Sequence, residues 1–203
     1  MRRTKEEAEI TRQNLLATAL QVFSRQGYAE TRLEDIAAEA KVTRGAIYHH
    51  FGSKADLYNA MVTEASGRAL EVLQKAISAG GNTLDALKRV FVDLLVYAHD
   101  DSRFRAINEL VIFKTGSAPE LQEGFQRKIA SNRQMVDFFA ARIRAGIDAG
   151  EIRSDVNPKD AALMLIALNN GLLSLWLLDP DLFKLKQRAA ALADIFIQGI
   201  AAL

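Results

Sequence analysis

The sequence predicts an all-α protein in which a small helix-turn-helix domain precedes a larger helical domain, with about nine helices in all. Apolar residues recur every three or four positions along most of the chain, which is the period of an amphipathic helix, and no sustained alternation indicates a strand. Capping residues, glycines and prolines divide this pattern into helix-length segments. The 203 residues, 49% of them hydrophobic, are enough to bury a sizeable core and too few for several independent domains.

A first helix is expected from about Glu6 to Gln26. Gly27 follows as the left-handed residue that commonly ends a helix. The apolar face of this helix is expected to contain Ile10, Leu15, Leu16, Ala19, Leu20 and Phe23. It supplies the core that a two-helix motif lacks.

Residues 31–51, TRLEDIAAEAKVTRGAIYHHF, encode two short helices with a tight turn between them. The first opens on residues 31–34, which match a capping box, so this helix is expected to begin at about Arg32. The turn ends at Thr43, the expected N-cap of a second helix that ends at about Phe51. Helices connected in this way form a helix-turn-helix, whose second helix typically enters the major groove of DNA.

The second helix of the motif has an apolar side and a polar side. Ile47 and Phe51 lie one helical turn apart and are expected to face the core. The side chains expected to face outward are Thr43, Arg44, Tyr48 and His49. This outer face is rich in hydrogen-bond donors of the kind that contact bases and phosphates, so it predicts contact with DNA.

The rest of the chain is expected to form the larger domain, with residues 1–54 as the helix-turn-helix domain and residues 55–203 as the second domain. Glycines and prolines separate its helices. The expected helices run from Lys54 to about Ala79, from Asn82 to about His99, from Arg103 to Lys114, from Glu120 to about Ala149, from Pro158 to about Leu178 and from Phe183 to Leu203.

Residues 43–51, TRGAIYHHF, together with residues 53–57, SKADL, resemble the DNA-binding signature of the TetR family of repressors. Further matches resemble the AcrR-like branch of that family, whose members repress multidrug-efflux operons; these are residues 3–8, Thr11-Arg12, Phe23-Ser24, Gln26-Gly27, Gly171, Trp176-Leu177, Pro180 and residues 183–186. Residues 63–160 carry no matching motif. The resemblance implies a homodimer, a palindromic operator in double-stranded DNA, and small lipophilic inducers that are often cationic or aromatic.

The net charge of +1 is low for a nucleic-acid-binding protein, so the distribution of the cations matters more than their sum. Several cations begin helices, where free backbone N–H groups and the helix dipole also attract a phosphate. The acidic residues of the motif lie on its first helix, which need not enter the groove. The residues expected to contact DNA are Arg3, Arg32, Thr43, Arg44, Gly45, Tyr48, His49 and Lys54.

Individual roles follow from the side chains. Arg44 is able either to read guanine with its bidentate fork or to bind a phosphate. Gly45 lets the helix approach DNA closely, and Lys54 is expected to hold a phosphate at the start of the next helix. The resemblance assigns phosphate contacts to Tyr48 and His49.

The larger domain contains aromatic residues that could line an apolar pocket, with a few polar side chains to orient a ligand. The candidates are Phe91, Phe104, Asn108, Glu109, Phe113, Asn169 and Trp176. The alternative for each aromatic residue is ordinary core packing. Glu109 either lies buried among apolar neighbours, where it needs a partner or a cationic ligand, or points to solvent.

Residues 161–178 contain no charge and reach the lower length limit of a membrane span. Asn169-Asn170 at the centre of the run and acidic residues at both flanks argue against a membrane helix. A buried helix that pairs with the last helix explains the run better, and two such helices from each of two subunits form a four-helix interface. The larger domain is therefore expected to carry ligand binding and dimerisation.

The composition argues against other classes. The chain has no cysteine, and its three histidines lack the spacing of a zinc motif, so no disulfide, metal site or cofactor is expected and a reducing cytoplasm suits the chain. No nucleophile elbow or phosphate-binding glycine loop indicates an enzyme. Two functions stay open: a ligand-responsive repressor of an efflux or related operon, and a DNA-binding regulator without a small ligand, controlled by a partner protein or constitutive.

Overall fold

The computed structural model describes residues 5–116 and 118–202, which fold almost entirely into helices. Arg3, which was expected to contact DNA, lies outside the described residues. The α-helices are α1 (Lys5–Gln26), α2 (Leu33–Glu39), α3 (Arg44–Phe51), α4 (Lys54–Ser78), α5 (Thr83–Asp100), α6 (Ser102–Glu109), α7 (Gln122–Asp148), α8 (Pro158–Leu178) and α9 (Leu185–Ile200). The predicted all-α class is confirmed.

The described chain divides into two compact units. The first contains the residues up to Gly67 together with Ala106–Gly124, and the second contains Arg68–Arg105 together with the residues from Phe125 onward. Helices α4, α6 and α7 therefore contribute residues to both units. The predicted boundary at residue 54 was drawn between a DNA-binding domain and a ligand-binding domain, not between packing units. It stays a prediction.

The core of the first unit is built from the inner faces of α1, α2, α3 and the first part of α4. Among its most buried side chains are Leu15, Leu16, Phe23, Ile36, Ile47, Leu57 and Met61. Ile10 was expected on the same apolar face, but it is 56% exposed because the buried part of α1 begins only at Leu15.

Three aromatic rings join α1, the following loop and α4. The ring of Tyr28 lies 5.5 Å from that of Phe23 and 5.1 Å from that of Tyr58. Tyr28 is fully buried, and burial raises the pKa of its phenol and that of Tyr58. The loop between α1 and α2 is therefore part of the core.

The predicted capping box at residues 31–34 is wrong by one position. The hydroxyl of buried Thr31 donates to the carbonyl of Gly27 at 2.7 Å, so it faces the end of α1 and does not cap α2. Instead, the carboxylate of Asp35 accepts from the backbone N–H of Arg32 at 3.0 Å, and α2 begins at Leu33.

The other predicted caps of the motif are confirmed. Thr43 accepts from the backbone N–H of Ala46 at 3.2 Å, and Ser53 accepts from that of Asp56 at 3.0 Å. The turn between α2 and α3 depends on Lys41, whose φ of 54° lies in the left-handed region. These contacts fix where α3 begins and ends.

Two helices differ from their predicted lengths. The segment expected as one helix from Arg103 to Lys114 consists of α6 and a π-helical turn, Leu110–Lys114, which the Thr115 hydroxyl closes by donating to the Leu110 carbonyl at 2.9 Å. The last helix stops at Ile200, since the chain then pairs in extended form with the segment around Ile152.

In the second unit, α5 packs against both α8 and α9. Among the described residues, α8 is long and apolar enough to cross a membrane, by length and composition alone. In the single chain only 28% of the apolar stretch of α8 is buried, so its expected burial among helices of two subunits stays a prediction. One face packs on the core, and the opposite face is exposed.

Candidate nucleic-acid interface

Helix α3 presents a polar outer face on a buried anchor, the fully buried Ile47. We call this exposed surface the reading face, and it consists of Thr43, Arg44, Gly45, Tyr48 and His49. The structure thus brings these predicted residues together on one side of a single helix. Their contacts with DNA stay a prediction.

The guanidinium of Arg44 is held by two neighbours. Its Nη1 lies 2.5 Å from Oε1 of Glu34 in the first turn of α2, and its Nη2 donates to the Tyr48 hydroxyl at 2.6 Å. Its Cζ lies 5.1 Å from the centre of the Tyr48 ring. The Tyr48 hydrogen bond and the Glu34 charge raise the pKa of Arg44. This side chain is therefore a permanent cation that is ordered and half-exposed at once.

Glu34 is a residue that sequence reasoning did not assign to the site. Each acidic side chain of α2 has its own partner: Glu34 pairs with Arg44, Asp35 caps Arg32, and Glu39 pairs with Arg25. The hydrogen bond from Arg25 also lowers the pKa of Glu39. Only the angle between α2 and α3 brings Glu34 to Arg44, and local sequence patterns do not encode that angle.

Gly45 and His49 are exposed on the reading face. A Cβ added at Gly45 would meet only the Thr43 hydroxyl, at an ordinary 3.7 Å, so the protein itself does not require a glycine there. The ring of His49 lies 5.5 Å from that of His50. Arg32 is exposed as the N-cap residue of α2. Each of these positions is open to a ligand from outside.

Unlike the residues of the reading face, Lys54 turns its ammonium group to the loop after α1. Its ammonium donates to the carbonyls of Tyr28 at 3.0 Å and Thr31 at 3.1 Å, and more weakly to that of Ala29 at 3.4 Å. It also lies 4.4 Å from the centre of the Tyr28 ring. Three acceptors match the three protons of an ammonium group, so Lys54 fastens the start of α4 to the loop after α1. Its predicted phosphate contact stays a prediction.

Four of the residues expected to bind a ligand belong to the second unit. Phe91 and Trp176 are buried in the core, and Asn169 donates to the Phe91 carbonyl at 2.9 Å. The ring of Phe104 lies 4.7 Å from that of Tyr97.

Trp176 has two cationic or titratable neighbours in the same unit. The His99 ring lies 5.7 Å from the Trp176 ring, and Cζ of Arg105 lies 5.6 Å from it. The indole is therefore already packed against protein groups, as the core-packing alternative expects.

The remaining three candidates belong to the first unit. Glu109 pairs with Lys114 at 2.6 Å, and its side chain is 41% exposed, so it is neither buried nor without a partner. Phe113 is exposed, and Asn108 is half-buried. Their role in ligand binding stays a prediction.

An open depression of about 290 Å³ lies in the second unit, away from these candidates. It is lined by Asp137, Ala140, Arg144, Asn157, Pro158 and Lys159. Within the described ranges, no group of three or more histidine, cysteine, aspartate or glutamate side chains could hold a metal ion.

A helix-turn-helix with an exposed, donor-rich second helix, joined to a larger helical unit, defines a DNA-binding transcription regulator. Residues 15–61 match the model of the bacterial regulatory proteins of the tetR family, and residues 82–201 match that of the MAATS-type transcriptional repressor, C-terminal region. The chain belongs to the TetR family.

Known transcription regulators are similar to this chain over nearly its full length. The HTH-type transcriptional regulator AcrR of Shigella flexneri is 31% identical over 199 residues, which cover 97% of this chain and 92% of that protein. The crystal structure of NalD, the secondary repressor of the MexAB-OprM multidrug efflux pump in Pseudomonas aeruginosa, matches with a TM-score of 0.85 and 28% identity over 97% of this chain and 98% of that one.

A third match is the SmeT–triclosan complex, with a TM-score of 0.80 and 28% identity over 95% of this chain and 92% of that one. SmeT is the repressor of the Stenotrophomonas maltophilia multidrug efflux pump SmeDEF. The present chain is a TetR-type transcriptional repressor related to repressors of efflux pumps, and it is not an enzyme.

The Lys54 contacts predict a structural effect. Lys54→Met keeps the aliphatic stem but removes three hydrogen bonds and the contact with the Tyr28 ring, so the free energy of unfolding should fall by on the order of 2 kcal/mol. Urea denaturation followed by circular dichroism measures this change. Lys75→Met, an exposed position on the same helix, is the control and should change stability by less than about 0.5 kcal/mol. Equal stability of the two variants would leave phosphate binding as the role of Lys54.

Proposed function

We propose that this protein is a ligand-responsive repressor that binds a palindromic operator as a homodimer and is released by a small lipophilic molecule. Its targets would include an efflux operon or a related one, and its place of action is the cytoplasm. The observation that carries the DNA-binding part is the reading face, with Arg44 ordered and exposed above the buried Ile47.

Base reading is supported by the chemistry of the reading face. An arginine held at two of its nitrogens still has N–H groups left, since a guanidinium carries five. Bidentate contact of arginine with O6 and N7 of guanine is the commonest specific contact in the major groove. Thr43 caps the N-terminus of α3, the end of a recognition helix that contacts the bases. Gly45 in the same turn has no side chain, which allows the backbone to approach DNA closely.

Dimerisation is supported by the exposed side of α8 and α9. Four large apolar side chains on α8 are about half-exposed or more, and all four lie on one side of the helix. They are Leu163, Met164, Leu175 and Leu178. Ile195 on α9 is 69% exposed. A monomer rarely leaves this many large apolar side chains on one helix face in water, and a two-fold axis would cover them with the same face of a second copy.

Ligand release is supported by the relatives. SmeT, which shares the fold over most of its length, is found in complex with triclosan, a small aromatic molecule. A ligand weakens operator binding only when it binds the DNA-incompetent state more tightly, and a coupling of roughly 1–3 kcal/mol changes affinity by 5–150-fold. Helix α4 contributes to both compact units, so we propose that it transmits this coupling.

A regulator without a small ligand is the second candidate. It is favoured by the packing of Phe91, Asn169 and Trp176, since each already has protein partners in the core. It keeps the same reading face and the same dimer, and differs only in what relieves repression.

Operator binding is tested by selecting genomic DNA fragments at near-physiological salt with the wild type and Arg44→Ala. The wild type should enrich a short palindrome with half-sites about one helical turn apart. Arg44→Ala should lose about 1–3 kcal/mol of discrimination at the base that it reads. Lys75→Ala, which lies outside the first unit, is the matched loss of one cation and should enrich the same palindrome as the wild type. No enrichment by the wild type above salt-sensitive background would contradict the proposal.

The dimer is tested by Ile195→Asp, which puts a charge in the exposed apolar face. Sedimentation equilibrium should then report a monomer where the wild type is a dimer, because a buried unpaired carboxylate costs several kcal/mol at an interface. Ile10→Asp, which changes another exposed isoleucine, on α1, is the control and should stay dimeric. A dimer that tolerates Ile195→Asp uses another surface.

Ligand release is tested by screening lipophilic cations and aromatic compounds, triclosan among them, for a rise in melting temperature. A ligand at 100 times its Kd should stabilise the folded protein by about 2.7 kcal/mol. Each compound that binds is then added to the protein on fluorescent operator DNA. Binding without any change in operator affinity would sink the release mechanism, and the absence of any ligand would favour the second candidate.

A further inference from the structure

An anion pairs with the central cation of the reading face, although a DNA-binding surface does not need an anion for attraction. Glu34 is the second residue of α2, and its Oε1 lies 2.5 Å from Nη1 of Arg44. The side chains of Glu34 and Arg44 are 54% and 55% exposed, so the carboxylate is open to solvent beside the reading face. Its charge opposes phosphate binding at the position where Arg44 would promote it.

The same pair restricts the arginine. Glu34 holds Nη1, the Tyr48 hydroxyl accepts from Nη2 at 2.6 Å, and the ring of Tyr48 lies beneath Cζ. An arginine loses side-chain entropy when it is ordered, and here that ordering precedes DNA binding. The N–H groups that Glu34 and Tyr48 do not use remain in a fixed plane, as a bidentate contact with guanine requires.

We propose that Glu34 is a specificity-determining positioning residue, which neutralises and orients Arg44 so that this arginine reads a base and adds little to non-specific phosphate binding. The inference rests on the proposed function, because it takes Arg44 as a base-reading residue. On non-operator DNA, the exchange of a carboxylate for a phosphate is one anion for another and gives little net gain. On the operator, the oriented guanidinium adds the base contact.

The chain contains a matched control. Glu39 lies on the same helix and also pairs with an arginine, but its partner Arg25 belongs to α1 and not to the reading face. Glu34→Gln and Glu39→Gln therefore change the net charge by the same amount from the same helix. Only the first releases a cation of the reading face.

The experiment measures binding to a fluorescent duplex of scrambled sequence, and to the palindrome that the wild type selects, over a range of salt concentrations. Glu34→Gln should bind the scrambled duplex about three- to five-fold more tightly than the wild type. The slope of its log K against log salt concentration should become steeper by about the amount that one additional phosphate contact contributes. Its ratio of operator to scrambled affinity should fall, and Glu39→Gln should change neither the slope nor the ratio.

A second comparison shows whether the effect passes through Arg44. In an Arg44→Ala background, Glu34→Gln should no longer steepen the salt dependence, since no cation is left to release. An equal steepening in both backgrounds, or equal effects of Glu34→Gln and Glu39→Gln, would mean general charge repulsion and would overturn the inference. A wild type without sequence preference would overturn the proposed function instead, and the two failures are thus distinguishable.

Discussion

The contact of the Lys54 ammonium with the loop after α1 is the interaction on which the geometry of the first unit depends. A loop that follows a helix carries carbonyl groups that need donors, and Lys54 supplies them for Tyr28 and Thr31. Because Lys54 begins α4 directly after α3, this clamp fixes the end of α3 relative to α1. The Tyr28 ring beneath the ammonium joins the clamp to the aromatic core. The helix that carries the reading face is therefore held in place from its inner side.

The electrostatics of the reading face fit the small net charge of the chain. A protein that relied on phosphate attraction would carry an excess of cations, and its affinity would fall steeply with salt. Here two cations pair with acidic side chains of α2, Arg44 with Glu34 and Arg25 with Glu39. Such pairing lowers attraction for any DNA and leaves sequence discrimination to hydrogen bonds of fixed direction. Low net charge is thus compatible with a regulator that must find one site among many others.

Helix α8 combines two roles along a single apolar run. Its inner face packs on α5 and holds Asn169, whose amide donates to the Phe91 carbonyl at 2.9 Å. Its outer face leaves leucine and methionine side chains exposed in the single chain. A helix that is apolar all round has to be covered on all sides, whether by lipid or by protein. In the proposed homodimer, a second copy of the chain would cover α8 without placing Asn170 in hydrocarbon, where its amide would lack partners.

Periodicity and capping are local properties of the chain, so the amino-acid sequence alone predicted the helical class, most helix boundaries, the Thr43 and Ser53 caps and the residues that share the outer face of α3. The sequence misplaced the cap of α2, because the Thr31 hydroxyl bonds to the Gly27 carbonyl at the end of α1, and the end of the last helix, because the chain after Ile200 pairs with the segment around Ile152. It also placed Ile10 in the core, whereas the buried part of α1 begins only at Leu15. The pairing of Glu34 with Arg44 and the clamp formed by Lys54 were decided only by the tertiary structure. The first joins side chains on two helices, and the second joins the start of α4 to the loop after α1, so both depend on how the helices pack rather than on any local pattern.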